Sequence, residues 1–315
     1  MSASELSLLF GLAAMWGASF MFIKVAVVEM SPLMLVSIRL ALAAFTLLLV
    51  QRALGAARSK RISSAPMREL WRPYLWVAIV NAIIPYTLIA WGEKYIASGT
   101  ASILNASTPL FTALLASMGA SYARSPERLT PARVAGLLVG FAGVAVLVAG
   151  TGANVEIGTG RSALMGQVAV LVASLAYGVG GLYARERFAG IPPILPATWQ
   201  SAFGAVVLLP FALVLTPLRD IPSWQAVGSV AALGIVGTAL ALLLYYELLA
   251  RVGATRTVMV TYLLPVMALI YGAVFLDESV GVYSLLGLAL VLGGIAITAR
   301  AKPRERIVPQ TAAGR

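Results

Sequence analysis

The chain is built from long apolar runs of near-constant length, separated by short clusters of proline, glycine and charge. A helix rising 1.5 Å per residue needs roughly 20 apolar residues to cross the ~30 Å hydrocarbon layer of a bilayer. Ten stretches meet that length, at 6–28, 32–51, 73–92, 98–121, 131–150, 162–184, 194–216, 224–249, 253–275 and 280–300. Most junctions carry the residues expected at helix ends, as in Ser31-Pro32, Arg72-Pro73, Thr130-Pro131, Ile191-Pro192-Pro193 and Ile221-Pro222. The connections are too short for a soluble domain. Only Met1-Ser2-Ala3-Ser4-Glu5 precedes the first run, with neither a basic segment nor a cleavage signal, so this run reads as a retained span. The pattern predicts an all-α polytopic membrane protein with ten transmembrane helices.

Composition narrows the chemistry. Apolar types make up 60% of the chain and charged residues 11%, against about 45–50% and 25% in ordinary globular domains. With a mean hydropathy of +0.91, a soluble fold could not hide that much apolar surface. The chain has no Cys and no His, and its only Asp residues are Asp220 and Asp277. Thiolate chemistry, Ser-His triads, His-rich metal sites and Asp-rich metal-diphosphate sites are therefore excluded. No catalytic residue, metal or cofactor is expected.

A net charge of +11 raises the question of nucleic acid, and the placement of the charges answers it. With both termini in the cytoplasm, the cytoplasmic loops and tail collect most of the 23 basic residues: Arg52, Arg58, Lys60, Arg61, Arg68 and Arg72; Arg124, Arg128 and Arg133; Arg185 and Arg187; Arg251 and Arg256; and Arg300, Lys302, Arg304, Arg306 and Arg315. Lys24, Lys94, Arg161 and Arg219 fall outside, and Arg39 lies within a span. This is the positive-inside asymmetry. The basic balance follows from topology in a lipid membrane, with no nucleic-acid partner.

The two halves repeat. At an offset of 161, Trp16-Gly17 aligns with Tyr177-Gly178, Lys24 with Arg185, Pro32 with Pro193 and Arg39 with Gln200. At 156, Asn105 aligns with Thr261 and Pro109 with Pro265; at 151, Glu127 aligns with Glu278, Gly136 with Gly287 and Gly143 with Gly294. Residues 1–150 and 162–300 thus form two five-helix units, followed by a basic tail at 301–315. An odd number of spans per unit places the second upside down in the membrane, which is the architecture of secondary transporters.

The same residues carry a family resemblance. The segment Trp16-Gly17-Ala18-Ser19-Phe20-Met21-Phe22-Ile23-Lys24 resembles the first-helix motif of EamA-type transporters of the drug/metabolite transporter superfamily. Ser37-Ile38-Arg39-Leu40 resembles their second-helix motif, Thr108-Pro109-Leu110-Phe111-Thr112-Ala113-Leu114-Leu115 their fourth helix and Glu127-Arg128-Leu129 the loop after it. Leu264-Pro265-Val266 and Asp277-Glu278-Ser279 repeat the pattern more weakly. Within the superfamily the chain is most similar to YddG-type amino-acid exporters. The resemblance implies ten helices, a central cavity, a bacterial inner-membrane location and carriage of a small metabolite without nucleotide hydrolysis. It points first to amino acids moved outward, and next to other metabolites or cationic drugs.

Polar and aromatic residues near mid-span are the candidates for a substrate site, because hydrocarbon leaves them unsatisfied unless they line a cavity or meet a partner. Ala101, Asn105, Thr108 and Thr112 recur at helical spacing in the fourth span, and Thr257 and Thr261 form a similar stripe in the ninth. The amide of Asn105 suits an amino or carboxylate group; hydrogen bonding between helices is the other account of such stripes. Trp16 and Tyr177 sit near mid-span and can flank an apolar substrate. Asn81, Pro85 and Tyr86 fall together in the third span, where Pro85 frees the carbonyl of Asn81. Trp91, Tyr245 and Tyr246 lie nearer span ends and read as interfacial belt residues. Arg39 lies about 10 Å inside its span, where an unpaired charge costs about 2.5–3.5 kcal/mol, so it must face water or a partner. It can hold a substrate carboxylate or a gating carbonyl, whereas Lys24 can gate, snorkel outward or pair with Glu29 or Glu93.

Glu247 is the only carboxylate within a predicted span, leaving few carriers for an obligatory proton cycle. Gly136, Gly140 and Gly143, with Gly287, Gly293 and Gly294, allow close helix approach, either within each half or between copies in a homodimer. A channel would need a continuous ring of pore-lining groups, which one copy does not offer. A membrane enzyme lacks its usual His, Cys or intramembrane Asp. A secondary transporter of a small-molecule substrate is the expected function.

Overall fold

The structure is a computed structural model that describes residues 2–58, 65–118, 130–150, 160–216, 220–252, 257 and 260–300. Every regular element among the described residues is helical: α1 (Ala3–Ala26), α2 (Pro32–Arg58), α3 (Ala65–Ala78), α4 (Ile84–Gly92), α5 (Ser98–Asn105), α6 (Thr108–Ser117), α7 (Pro131–Ala149), α8 (Arg161–Arg187), α9 (Ile194–Leu215), α10 (Trp224–Gly234), α11 (Ala241–Val252), α12 (Val260–Phe275) and α13 (Val282–Arg300). A π turn at Ile79–Ile83 joins α3 to α4, and another at Ile235–Leu240 joins α10 to α11. Among the described residues, seven continuous helices are long and apolar enough to cross a membrane, and Val260–Phe275 and Val282–Thr298 are shorter apolar helices. The basic tail at 301–315 and the Glu127-Arg128-Leu129 motif lie outside the described residues.

Three predicted spans differ in detail. The fourth is two helices, α5 and α6, because Pro109 has no N–H to offer the carbonyl of Asn105 and its ring crowds that carbonyl. The backbone tightens there: the Ala106 N–H donates to Ser102 O and Ile103 O, and the Ser107 N–H to Leu104 O. The Thr108 hydroxyl then takes the freed Asn105 carbonyl at 2.8 Å. The third and eighth spans each widen into a π turn. In the third, the Ile84 N–H reaches back to Ile79 O just ahead of Pro85, so the irregularity expected from the proline is taken up one residue earlier. The two turns start 156 residues apart, the offset that aligns Asn105 with Thr261.

Packing brings the two halves together throughout. α1 packs on α10, α11 and α12; α8 packs on α4, α5 and α6; α2 lies against α9 and α7 against α13. Close approaches need the missing Cβ of glycine. A Cβ on Gly17 would stand 2.6 Å from Met267 Cβ and 3.2 Å from Ala268 N, and one on Gly178 3.3 Å from Thr112 N. On the α7–α13 seam, a Cβ on Gly143 would stand 2.9 Å from Gly287 O and one on Gly294 2.6 Å from Gly136 O. These glycines pack across the two halves, whereas Gly140 packs on Leu110 within its own half and a Cβ on Gly293 would meet nothing within 4 Å. The largest buried cluster runs through both halves, from Phe20, Leu40 and Ile89 to Leu233, Ala268 and Val291.

Polar contacts tie one end of the bundle shut. Ser31 Oγ donates to Thr216 Oγ1 at 2.7 Å. The Glu29 carboxylate accepts from the Ser223 N–H at 2.6 Å and its hydroxyl at 2.5 Å. Glu278, beyond α12, caps the start of α5 through the Ser98 N–H and hydroxyl, both at 2.7 Å, and the Gly99 N–H at 3.2 Å. Bound in this way, a carboxylate at a helix N-terminus offsets the unpaired N–H groups there.

Candidate functional site

The helices enclose a cavity of about 500 Å³, within the range of small-molecule sites. Seven residues expected to bind substrate line it together: Trp16 from α1, Asn81 from the first π turn, Tyr86 from α4, Asn105 and Thr108 at the α5–α6 break, Tyr177 from α8 and Thr261 from α12. Arg39 from α2 also lines it. Lys24 does not. Of the two polar stripes, Ala101, Thr112 and Thr257 lie off the cavity; Ala101 and Thr257 are buried, and the Thr112 hydroxyl donates back to Thr108 O at 2.9 Å. The lining extends toward Phe188, Pro196 and Ala197, where α8 ends and α9 begins, and stops at Ile23 and Ile89, short of the tied end.

Arg39 is the one charged side chain that lines the cavity among the described residues. It is 6% exposed and doubly positioned. Its Nε donates to Thr238 Oγ1 at 3.0 Å, and its guanidinium lies 4.0 Å from the centroid of the Tyr86 ring. Thr238 sits on the second π turn and donates its own hydrogen to Leu233 O at 2.8 Å, five residues back. The turn comes that close because Gly234 presses on Leu42 and the Arg39 carbonyl, where a Cβ would sit 2.7 and 2.9 Å away. Gln200, aligned with Arg39 in the internal repeat, faces Asn81 on the first π turn, with Asn81 Nδ2 3.5 Å from Gln200 Oε1. π turns widen a helix locally and often occur at functional sites; here each carries a polar side chain that meets one member of the Arg39–Gln200 pair.

Two aromatic pairs furnish the apolar walls. Trp16 packs on Tyr245 with centroids 5.7 Å apart, and Tyr86 meets Tyr177 edge-on at 6.2 Å. Tyr245 therefore belongs to the cavity and not to an interfacial belt: α11 continues past the π turn and aims it inward. Trp91 packs on Tyr95 at 5.0 Å, away from the cavity, and the Tyr246 side chain lies outside the described residues. Asn105 Oδ1 is buried with no hydrogen-bond partner among the described residues, an uncompensated cost. Sequence reasoning missed Thr238 as well as Tyr245, and treated Gln200 only as the counterpart of Arg39. Carrying the offset of 156 from Asn81 into the eighth span reaches Gly237, and Thr238 is the polar residue next to it.

Lys24 has another task. The residue is 8% exposed, and its ammonium donates to the backbone carbonyls of Glu93 and of Ile96, the latter at 2.7 Å. It thereby holds the turn between α4 and α5 at the tied end. At the same end, the N–H and hydroxyl of Ser223 hold the Glu29 carboxyl below the ordinary value near 4.5. Glu247 pairs with Arg251 one turn along α11 at 2.7 Å, outside the cavity.

Comparison with known proteins agrees with this architecture. An uncharacterized transporter of Bacillus subtilis, YoaV, is 25% identical, with 93% of this chain and 95% of that one covered. A probable terminal-alkyne amino-acid exporter of Streptantibioticus cattleyicolor is 28% identical, covering 90% of each. The uncharacterized inner membrane transporter YedA of Escherichia coli K12 is 24% identical, covering 93% and 90%. A crystal structure of 21% identity superposes with a TM-score of 0.62 over 94% of this chain and 96% of that chain, a likeness of fold. The model of the EamA-like transporter family matches twice, over residues 3–149 and 164–300. This all-helical, multi-pass membrane chain belongs to the EamA-like transporter family.

Proposed function

We propose that the protein is a secondary transporter, not an enzyme, that carries small metabolites, amino acids above all, outward across a bacterial inner membrane. In this reading ten spans form two inverted five-helix repeats, at 1–150 and 162–300, with both termini cytoplasmic. Support comes from the double family match, the π turns at corresponding positions and the glycine contacts. Exchange of the halves maps the Gly17–Ala268 approach onto Gly178–Thr112, and Gly143–Gly287 onto Gly294–Gly136. Such halves can rock about a central site and open it to each face in turn. The positive-inside asymmetry makes the tied end external, so the cavity faces the cytoplasm.

The substrate class rests on one observation: the cavity's single charged side chain is a cation set among aromatic rings and amides. A cationic drug would meet repulsion there, whereas an amino acid finds a partner for each of its parts. Thr238 occupies only Nε of Arg39, leaving the remaining donors for a carboxylate. Asn105 Oδ1 can accept from an ammonium group. The Trp16–Tyr245 and Tyr86–Tyr177 pairs suit an apolar side chain. The chain of Streptantibioticus cattleyicolor, a probable amino-acid exporter by name, agrees with this class.

The test is reconstitution of the pure protein in sealed liposomes with a panel of labelled amino acids, with and without a pH gradient. Saturable, competable uptake of unchanged substrate is expected. No uptake of any amino acid by folded protein would discard the substrate class and move the panel to nucleosides, sugars and organic cations.

A further inference from the structure

The tied end holds a group that the cavity does not use. Glu93, at the end of α4, is 0% exposed, and neither oxygen of its carboxyl has a hydrogen-bond partner among the described residues. Lys24 of α1 spends donors on the backbone carbonyls of Glu93 and Ile96. Glu278, beyond α12, is committed to Ser98 and Gly99. The charges whose fields reach Glu93 are Lys24, Glu278 and Arg39 of α2, and α8 packs on the neighbouring Gly92 through Gly166 and Val170. Lys24 and Arg39 favour the ionised form; Glu278 and full burial oppose it. An anion with no hydrogen bond in such a place carries the whole cost of leaving water, while a neutral carboxyl loses far less.

We propose that Glu93 is a proton-binding site: its carboxyl is neutral while this end is closed and releases its proton when the end opens. Each opening frees one proton to the water that enters at that face, and each closing takes one back. Proton activity on one face thereby biases which way the cavity faces. The inference rests on the transporter reading in that opening is a step of the carrying cycle, but its test needs no substrate.

Because the chain has no cysteine, Val27→Cys, buried at the tied end with the parent residue 5% exposed, would be its only thiol. Maleimide labelling of the purified full chain is followed from mildly acidic to mildly alkaline pH. Rates are normalised to Val28→Cys, where the parent residue is 80% exposed, so that the thiol's own ionisation cancels. The normalised rate should rise with pH by up to about tenfold per unit, the limit for one linked proton, and Glu93→Gln should flatten it. In infrared spectra the parent should show the C=O stretch of a neutral, unbonded carboxyl that Glu93→Gln removes. Should Glu93→Gln not fold, Glu93→Asp should shift the band. A parent without that band, a flat normalised rate in the parent, or an unchanged slope in Glu93→Gln overturns the proposal. None of these readouts depends on whether amino acids are carried.

Discussion

Replacing Arg39 by Gln copies what the other half of the chain carries at the aligned position, Gln200, and so separates charge from shape. The parent guanidinium is buried, bonded to Thr238 at 3.0 Å and stacked on Tyr86 at 4.0 Å. A hydrogen bond to a charged group contributes about 1.5–3 kcal/mol in such a setting. At 1.4 kcal/mol per tenfold, loss of a carboxylate partner weakens binding by about 10- to 150-fold. The fold should survive, because Thr238 keeps its bond to Leu233 O and Asn81 and Gln200 already face each other at the corresponding place. The assay is equilibrium binding of an aromatic amino acid and of its methyl ester to purified parent and Arg39→Gln. The parent should prefer the free acid, and the variant should bind acid and ester alike. A variant that keeps the parent's preference for the acid refutes the carboxylate role and leaves Arg39 a structural residue.

Trp16→Ala and Asn105→Ala should each lower transport in liposomes without blocking membrane insertion or folding; normal rates in both would remove these residues from the site. Gly294→Ala sets a Cβ 2.4 Å from Gly140 N on the α7–α13 seam, and overpacking of this kind costs about 1–3 kcal/mol. Its thermal unfolding should move down, and an unchanged midpoint would mean that the seam is not packed as described. Lys24→Met strips two carbonyls of their donor and should speed labelling of Val27→Cys at every pH, whereas slower labelling would contradict the role of Lys24 as a tie. The Glu29 carboxyl sits lower than its ordinary value, so its contact with Ser223 stabilises above that ordinary value and is lost as pH falls through the lowered one. The parent should therefore be more heat-stable than Ser223→Ala at neutral pH, with the difference fading in acid.

Helix positions were legible because a bilayer imposes length and polarity on every span at once. Interruptions within spans were less so. The fourth span read as one helix although Pro109 lies within it, and the π turn of the eighth depends on how Gly234 meets Leu42, a contact between distant segments, whereas the bond from the Ile84 N–H to Ile79 O is local. Mid-span depth and polarity alone were enough to bring Trp16, Arg39, Asn81, Tyr86, Asn105, Thr108, Tyr177 and Thr261 to one cavity. Tyr245 escaped because its distance from a span end was judged along a regular helix, while a π turn lies just ahead of it. Glu93 was legible only as a possible partner of Lys24, because the packing of Gly92 against Gly166, which encloses that end, joins segments far apart in the chain.

In the proposed repeat, geometry and chemistry part company. The contacts that shape the cavity have counterparts: Gly17 with Gly178, and one π turn with the other. Exchange of the two conformations would then untie the external end and tie the cytoplasmic one, with Arg185 in the place of Lys24. Two charged groups lack such a counterpart: Gln200 stands opposite Arg39 at the offset of 161, and Leu249 opposite Glu93 at 156. A bistable frame with equivalent states carries no preference of its own, and a ligand or proton shifts it only by differing in affinity between them. Both groups that can supply such a difference, the substrate-facing cation and the buried acid, belong to the first half. On the proposed reading the rocking motion is common to both halves, and its bias toward either face is set by residues of one.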